Sequence, residues 1–472
     1  MVVGDIETGV DLVVIGAGPG GYTAAIRGAQ EGLDVLLVEK ETIGGTCLNR
    51  GCIPAKALIH ASKFHHSIQH WNEIGINAQC EPGEEINFER IQEWKEKTVE
   101  KLNSGVKSIL ERENVEIMRG TARFIDESTI RVEEEHNAEN VNFENAVIAT
   151  GSQPIEIPGL EFDRDKVISS RELLNLEEVP NEIVVVGGGY IGMEAVTKFA
   201  KFGCTVKVVE AADRVLTNFQ EDIVSRLSEM KPEYNDEIYT SAKAKEVKYE
   251  DDEAILIADK DGEDIELSGE YILVAAGRTP QPNLENLGLE NTKVDISEDG
   301  FLEVDKTMRT SQKNIFAIGD ITGNPMLAHK AYREGEVAGE VAAGKPSAFD
   351  NQYIPKAMYT DPEVGVVGLN PEEAEEKFDK VITGEFPFSA SGRALTTNET
   401  NGFVRVIASG EGKLEGVQII GPRASDMLSE ATLALEMQAY LDDIANTIHA
   451  HPTFPEALAE ACKDALDKSV HI

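Results

Sequence analysis

The chain has 472 residues, room for about three domains at roughly 150 residues each, and 41% of them are hydrophobic, which excludes a disordered chain. It carries 85 aspartates and glutamates against 44 lysines and arginines, a formal charge of −41. A surface of that sign repels nucleic acid and anionic membranes, so neither is expected as a partner.

The acids are spread along the chain, in runs such as Glu133-Glu134-Glu135, Glu250-Asp251-Asp252-Glu253 and Glu372-Glu373-Ala374-Glu375-Glu376, and read as a solvated surface rather than a tail. Two explanations stay open: an ordinary acidic protein, and a halophilic one adapted to a cytoplasm of molar salt. The opening Met1-Val2-Val3-Gly4-Asp5-Ile6-Glu7 lacks the basic and apolar regions of a signal peptide, and no apolar run nears the ~20 residues that span a bilayer. A cytoplasmic protein is expected. The five cysteines are too few and odd in number for a secreted disulfide scaffold. In a reducing compartment a close pair points to catalysis or metal binding.

The first predicted element is the strand Leu12-Val13-Val14-Ile15, which ends in Gly16-Ala17-Gly18-Pro19-Gly20-Gly21. A helix is predicted from Tyr22 to Glu31, then a strand over Val35-Leu36-Leu37-Val38, closed by Glu39. Strand, glycine turn, helix, strand and acid form a dinucleotide-binding unit. In such a unit Gly16 makes the tight turn, Gly18 lets a pyrophosphate approach the backbone, and Gly21 lets helix pack on strand. The phosphates sit at the positive end of the helix, and the carboxylate accepts from ribose hydroxyls.

Next comes Gly44-Gly45-Thr46-Cys47-Leu48-Asn49-Arg50-Gly51-Cys52-Ile53-Pro54-Ala55-Lys56. Two cysteines five apart on a regular helix would stand ~7.5 Å apart along the axis, beyond disulfide reach. A distorted helix start is therefore expected, and Gly51 and Pro54 suit one. A thiol at a helix start near a lysine is biased toward thiolate, as dithiol exchange needs. A zinc pair and a structural disulfide are the alternatives, although a zinc site needs more ligands at suitable spacing and none is near. Cys80, Cys204 and Cys462 stand alone and read as packing cysteines.

Val147-Ile148-Ala149-Thr150-Gly151 is a strand ending in a small-residue turn. The nucleotide unit then recurs as Ile183-Val184-Val185-Val186, Gly187-Gly188-Gly189-Tyr190-Ile191-Gly192, a helix to Phe202, and Val206-Lys207-Val208-Val209 closed by Glu210. Twenty-three residues separate Gly16 from Glu39, and twenty-three separate Gly187 from Glu210. Two complete copies at one spacing make chance turns a poor explanation. Ile272-Leu273-Val274-Ala275-Ala276-Gly277-Arg278 echoes the small-residue turn, and Ile315-Phe316-Ala317-Ile318-Gly319-Asp320 runs a buried strand into an acid. Asp320 is read as a ligand-facing group at a strand end or as a helix N-cap.

From about Tyr353 the pattern changes to short strands, Val364–Gly368, Gly402–Val406 and Gly416–Ile420, with helices near Ala424 to Leu441 and Pro455 to Lys468. This predicts an α+β domain with a mostly antiparallel sheet. Near its end lies Ile448-His449-Ala450-His451-Pro452-Thr453-Phe454-Pro455-Glu456. A relay between thiols and a disulfide needs a base, and an imidazole held by a carboxylate, His451 with Glu456, is the usual arrangement. A metal pair with His449, and a core or capping histidine, are the alternatives.

Together these motifs resemble the pyridine nucleotide-disulfide oxidoreductase family over nearly the whole chain and in the family's order. The two-cysteine segment with Ile53-Pro54 and the HxHPTxxE segment look most like its dihydrolipoyl-oxidising members. The resemblance implies an α/β fold with two Rossmann-like domains, for FAD and NAD, and a C-terminal α+β dimerisation domain. The implied boundaries are 1–152 for the first part of the FAD domain, 153–277 for the NAD domain, 278–350 for a central domain completing the FAD site, and 351–472 for the interface. FAD would meet Gly16, Gly18, Gly21, Glu39, Ala149, Gly151 and Asp320, with Lys56 near its reactive edge. NAD would meet Gly187, Gly189, Gly192, Glu210 and Gly277.

The resemblance further implies that Cys47 exchanges with the substrate disulfide, Cys52 passes electrons to the flavin, and His451 with Glu456 is the acid–base of the other subunit of a homodimer. No metal is implied. The partner would be a lipoylated carrier protein, either a 2-oxoacid dehydrogenase acyltransferase or the glycine-cleavage lipoyl protein. Two positions depart from the family pattern: Ala55 replaces a common serine, and Arg50 stands where valine is frequent. Glu210 favours NAD over NADP, because a carboxylate repels a 2′-phosphate. Cys462, alone near the C-terminus, argues against the mercuric-type relatives, which end in a cysteine pair. A non-catalytic redox sensor on the same fold is the reading from another class.

Overall fold

The computed structural model describes residues 8–69, 71–76, 86–134, 137–230, 238–250, 253–280 and 284–472. Cys80, Met1 to Glu7, Glu135, Asp251 and Asp252 lie outside them.

The apolar run predicted at the start becomes β1 (Thr8–Ile15), followed by α1 (Pro19–Gln30) and β2 (Val35–Glu39). Leu12, Val13 and Val14 are fully buried because β1 is central, with β2 parallel on one side and β6 (Ala138–Ile148) parallel on the other. Beyond β2 lies β3 (Glu116–Arg119), also parallel. The short β4 (Thr121–Phe124) and β5 (Thr129–Glu133) form an antiparallel meander with the first half of β6.

The second copy has the same plan. A parallel sheet runs in the order β11 (Ile238–Tyr239), β10 (Thr205–Val209), β9 (Glu182–Val186), β15 (Tyr271–Val274) and β8 (Val167–Ile168). An antiparallel meander, β12 (Ala242–Glu250), β13 (Glu253–Lys260) and β14 (Glu263–Gly269), precedes β15 as β4 and β5 precede β6. Helix α6 (Tyr190–Lys201) repeats α1.

The copies differ in the source of their fifth parallel strand. In the second it is β8, which comes before the glycine turn. In the first it is β17 (Ile315–Ala317), which pairs with β6 after the whole second unit has been traversed. Chain beyond the second unit therefore completes the first sheet. A short pair, β7 (Gln153–Pro154) with β16 (Arg278–Thr279), ties the two crossings together. Helix α8 (Ala328–Ala342) locks this return by lying against α1. A Cβ on Gly335 would come within 2.4 Å of the Gly20 carbonyl oxygen, and one on Gly339 within 2.9 Å of that of Ala24. Only glycine permits so close an approach of two backbones.

The C-terminal part is the expected antiparallel sheet, in the order β18 (Lys356–Met358), β19 (Glu363–Gly368), β22 (Leu414–Gly421), β21 (Phe403–Ser409) and β20 (Val381–Pro387). One helix is shorter than its pattern suggests. The segment read as helical to Leu441 stops at Glu436, giving α9 (Ala424–Glu436). Gln438 takes a left-handed conformation at φ 56°, and the Ala439 N–H returns to the Ala434 carbonyl, which ends the helix. The final helix, α10, spans Glu456–Ala465. Among the described residues no helix is long and apolar enough to cross a membrane.

Candidate active site

A continuous cleft of about 1680 Å³ runs along the carboxyl ends of both parallel sheets. Ligands bind at this edge in doubly wound folds. Nine lysines and arginines line it against five acids, an inversion of the charge balance of the chain. The protein thus concentrates its few cations where an anion would lie.

The two glycine turns are geometrically equivalent. Gly16 (φ 100°) and Gly187 (φ 107°) lie in a region closed to other residues, and a Cβ there would strike the carbonyl oxygens of Ala149 and Ala275 at 2.5 and 2.6 Å. Gly21 and Gly192 are closed too, since their Cβ would come within 1.8 and 2.1 Å of the Gly16 and Gly187 oxygens. Between them, a Cβ on Gly18 or Gly189 would meet nothing within 4 Å. An open glycine between two closed ones, heading a helix at a cleft, is a cradle whose missing wall is a ligand, and a dinucleotide pyrophosphate fits it.

The acids also match. Glu39 accepts the Ala17 N–H at 2.7 Å and the Glu41 N–H at 2.7 Å. Glu210 accepts the Gly188 N–H at 2.7 Å and the Ala212 N–H at 2.8 Å. Each carboxylate fixes the turn beside it while keeping lone pairs for ribose hydroxyls.

Between the cradles lie the cysteines. The expected helix distortion is present: α2 (Gly45–Arg50) stops at Gly51, with φ −145° and ψ −110°, and α3 (Cys52–Gln69) starts afresh at Cys52. Both cysteines are free thiols. The Cys47 thiol donates to the Cys52 sulfur and, with the Lys56 ammonium, lowers Cys52 to about 7 despite burial and the charge of Glu194. The same hydrogen bond, helped by burial, drives Cys47 far above an ordinary thiol. Cys52 is thus the more acidic thiol of the pair and also the more exposed one. Cys204 and Cys462 are buried in cores, and burial pushes both up to about 12, as packing cysteines should be.

Lys56 is held by an acid that the motif search did not nominate. Its Nζ lies 2.9 and 3.0 Å from the two Glu194 carboxylate oxygens, and Glu194 is only 4% exposed. Glu194 also accepts the Tyr359 N–H at 3.2 Å. A buried acid inside the apolar run of the second glycine helix was the available sign.

Asp320 is not a helix cap. Its Oδ2 accepts from Ser152 Oγ at 2.5 Å, and Arg278 donates to Ser152 through Nε at 2.8 Å and Nη2 at 2.6 Å. Burial pushes the Arg278 guanidinium down, against the charge of Asp320. Gly151 (φ 65°) has open space where a Cβ would stand, and Gly277 (φ 123°) has Ile155 at 3.2 Å. These residues, with Ala149, line the cleft.

His451 and Glu456 form the expected couple, Nδ1 to Oε1 at 2.8 Å, with the Thr453 N–H on the other carboxylate oxygen at 2.6 Å. The histidine side chain is 77% exposed, so it is no core group. His449 turns to a different acid, Glu430, at 2.8 Å, and the two imidazoles do not share a ligand point. Neither histidine lines the cleft, so within one chain the couple and the cysteines are not brought together.

Comparison with known proteins agrees with this geometry. The family model for pyridine nucleotide-disulphide oxidoreductases matches residues 10–335, and that for their dimerisation domain matches 354–462. The chain is 46% identical to dihydrolipoyl dehydrogenase of Halobacterium salinarum and 45% identical to dihydrolipoyl dehydrogenase 3 of Haloarcula marismortui, covering 100% of this chain and 99% of each relative. The solved structure of the HOCl-induced flavoprotein disulfide reductase RclA from Escherichia coli superposes with a TM-score of 0.85 at 26% identity, over 96% of this chain and 99% of that one. The two matched cradles, the thiol pair between them and the full-length likeness carry one conclusion: the chain belongs to the pyridine nucleotide-disulphide oxidoreductase family.

Proposed function

We propose that this enzyme oxidises dihydrolipoyl groups to the lipoyl disulfide and reduces NAD to NADH, using FAD and the Cys47–Cys52 pair. The observation that carries the reading is the Cys47–Cys52 pair, with the Lys56–Glu194 ion pair, in one cleft with two equivalent dinucleotide cradles. FAD fits the first cradle, with Gly16, Gly18, Gly21, Glu39, Ala149, Gly151 and Asp320. NAD fits the second, with Gly187, Gly189, Gly192, Glu210 and Gly277. Bound there, FAD would supply a two-electron acceptor for the dithiol and a hydride donor for NAD.

The chain's own residues carry the sulfur chemistry. In the oxidised enzyme a dihydrolipoyl thiol gives its proton to His451 and attacks Cys47 Sγ, and Cys52 leaves as a thiolate. The second substrate thiol then attacks the sulfur bound to Cys47, which forms the lipoyl disulfide and releases Cys47; its proton passes to the departing Cys47 sulfur, and the first proton stays on His451 until it is lost to solvent. Glu456 orients the imidazole through Nδ1, leaving Nε2 for the proton. Because His451 and the cysteines lie apart in one chain, the base for each pair comes from the partner subunit of a homodimer, in keeping with the dimerisation domain over 354–462. A lipoylated carrier supplies the dithiol, either a 2-oxoacid dehydrogenase acyltransferase or the glycine-cleavage lipoyl protein.

The test is NADH formation from dihydrolipoamide and NAD by the purified flavoprotein in molar potassium chloride. Rapid NADH formation supports the reading. A folded, FAD-bound protein that forms none under these conditions acts on another disulfide.

A further inference from the structure

Arg50 lies between the two cysteines in sequence, yet the sulfur chemistry gives it no task. It makes a close ion pair with Glu41, two residues beyond the ribose-side acid Glu39. Glu41 also draws Arg171 of the second unit, with Nη1 3.6 Å away. Three separate stretches of chain thus meet at one carboxylate on the cleft wall: the loop after β2, the cysteine helix α2, and the short helix Ser170–Leu173. Although burial opposes it, the two guanidinium groups hold Glu41 below the usual carboxylate range.

The charges do not balance. Two arginines share one acid, so the cluster is net positive in a chain of charge −41. A guanidinium has five N–H donors in a planar fork, and one carboxylate shared by two forks leaves donors free. The position is also informative. In sequence Glu41 stands two residues from Glu39 and Arg50 two from Cys52, and all four line the cleft with Arg171, so under the proposed placement of FAD the cluster lies between the ribose-side acid and the redox pair. Gly45, the first residue of α2, would place a Cβ 2.6 Å from the Cα of Gly18, so the start of α2 rests on the phosphate turn.

We propose that Arg50 and Arg171, bridged by Glu41, form an ionic strap across the first cradle that binds the pyrophosphate of FAD and slows its escape. The strap also joins the second nucleotide unit to the cofactor of the first. This inference rests on FAD occupying the Gly16–Gly18–Gly21 cradle.

The test is the rate of FAD release from the holoenzyme, read as free flavin recovered by filtration after dilution, in dilute and in molar potassium chloride. Arg50→Met should speed release on the order of tenfold or more, as expected for one charge-assisted hydrogen bond to phosphate. Arg171→Met should speed it less, and Arg50→Lys, which keeps the charge and loses the fork, should fall between Arg50→Met and the parent. The parent's release should quicken with salt more than that of Arg50→Met. Unchanged release in both methionine variants, with circular dichroism intact, would overturn the strap. So would a variant that loses NAD affinity alone, because the cluster would then serve the second cradle. A parent protein that binds no FAD would overturn the cofactor placement itself.

Discussion

Lys56 and Glu194 lie 138 residues apart in sequence and meet in a bidentate ion pair beside Cys52, with the Lys56 Nζ 4.4 Å from the centre of the Tyr359 ring. The pair sets the charge seen by the thiolate: Lys56 lowers Cys52 and Glu194 raises it. With Cys52 at about 7, roughly half of it is thiolate at neutral pH. Lys56→Met should move Cys52 up and lower the thiolate fraction at pH 7. Glu194→Gln should move it down and raise the thiolate fraction. The pH profile of iodoacetamide alkylation in the dithiol enzyme reads this directly. Profiles that coincide for the parent and both variants would remove the pair from the chemistry of Cys52.

The His451–Glu456 couple makes a different prediction, because in the proposed mechanism it acts on the substrate thiol and not on Cys52. His451→Gln should lower kcat with dihydrolipoamide by about 10² to 10⁴, the usual loss of a general base. Glu456→Gln, which retains an acceptor for Nδ1, should cost less, about tenfold. Neither change should alter FAD content or direct reduction of the enzyme by NADH, which bypasses the base. Loss of NADH reduction in His451→Gln would mean that the histidine supports the fold or the dimer rather than the proton transfer.

These two sites were not equally legible. The glycine turns, the acids at Glu39 and Glu210, and the break at Gly51 could be read because each is a local event within about 25 residues. The His451–Glu456 couple was legible for the same reason. Glu194, Ser152 and Arg278 were not singled out, although Glu194 braces Lys56, and Ser152, itself held by Arg278, braces Asp320. Lys56 reaches Glu194 across α3 and α6, and Arg278 reaches Ser152 only because β7 and β16 pair. Such contacts belong to the topology, and a buried acid in an apolar helix is only a hint of them. The over-long helix at Leu441 failed for the opposite reason, since a single left-handed glutamine stops it and glutamine carries no stop signal.

The acid surface leads to a prediction about salt. In the run around Glu373, one acid is used structurally: Glu373 and Asn370 cap each other's backbone N–H groups. Glu372, Glu375 and Glu376 are exposed neighbours of like sign. Their repulsion reaches about 10 Å at 0.1 M salt and only about 3 Å at 1 M. Moving from dilute to molar potassium chloride should therefore raise Tm by roughly 5–10 °C in the holoenzyme. A Tm that stays flat across the range would leave an ordinary acidic protein whose charges are already accommodated.

The glycine turns allow fold and cofactor to be separated by single methyl groups. In Gly21→Ala the new Cβ would come within 1.8 Å of the Gly16 oxygen, so helix and strand must part. A loss of about 3 kcal/mol or more of stability is expected, with or without FAD. In Gly18→Ala the Cβ meets no protein atom within 4 Å, so the apoprotein should unfold at the parent's temperature. Its methyl group nevertheless occupies the space proposed for the pyrophosphate, and FAD affinity should fall about 100-fold, because both the close approach and its hydrogen bonds to the backbone would be lost. Gly189→Ala should do the same for NAD while leaving the bound FAD untouched. Flavin content, NAD titration and thermal unfolding of these three variants form one experiment. If Gly18→Ala kept FAD at the parent's affinity, the open glycine would not be the phosphate seat, and the first cradle would have to hold its ligand elsewhere.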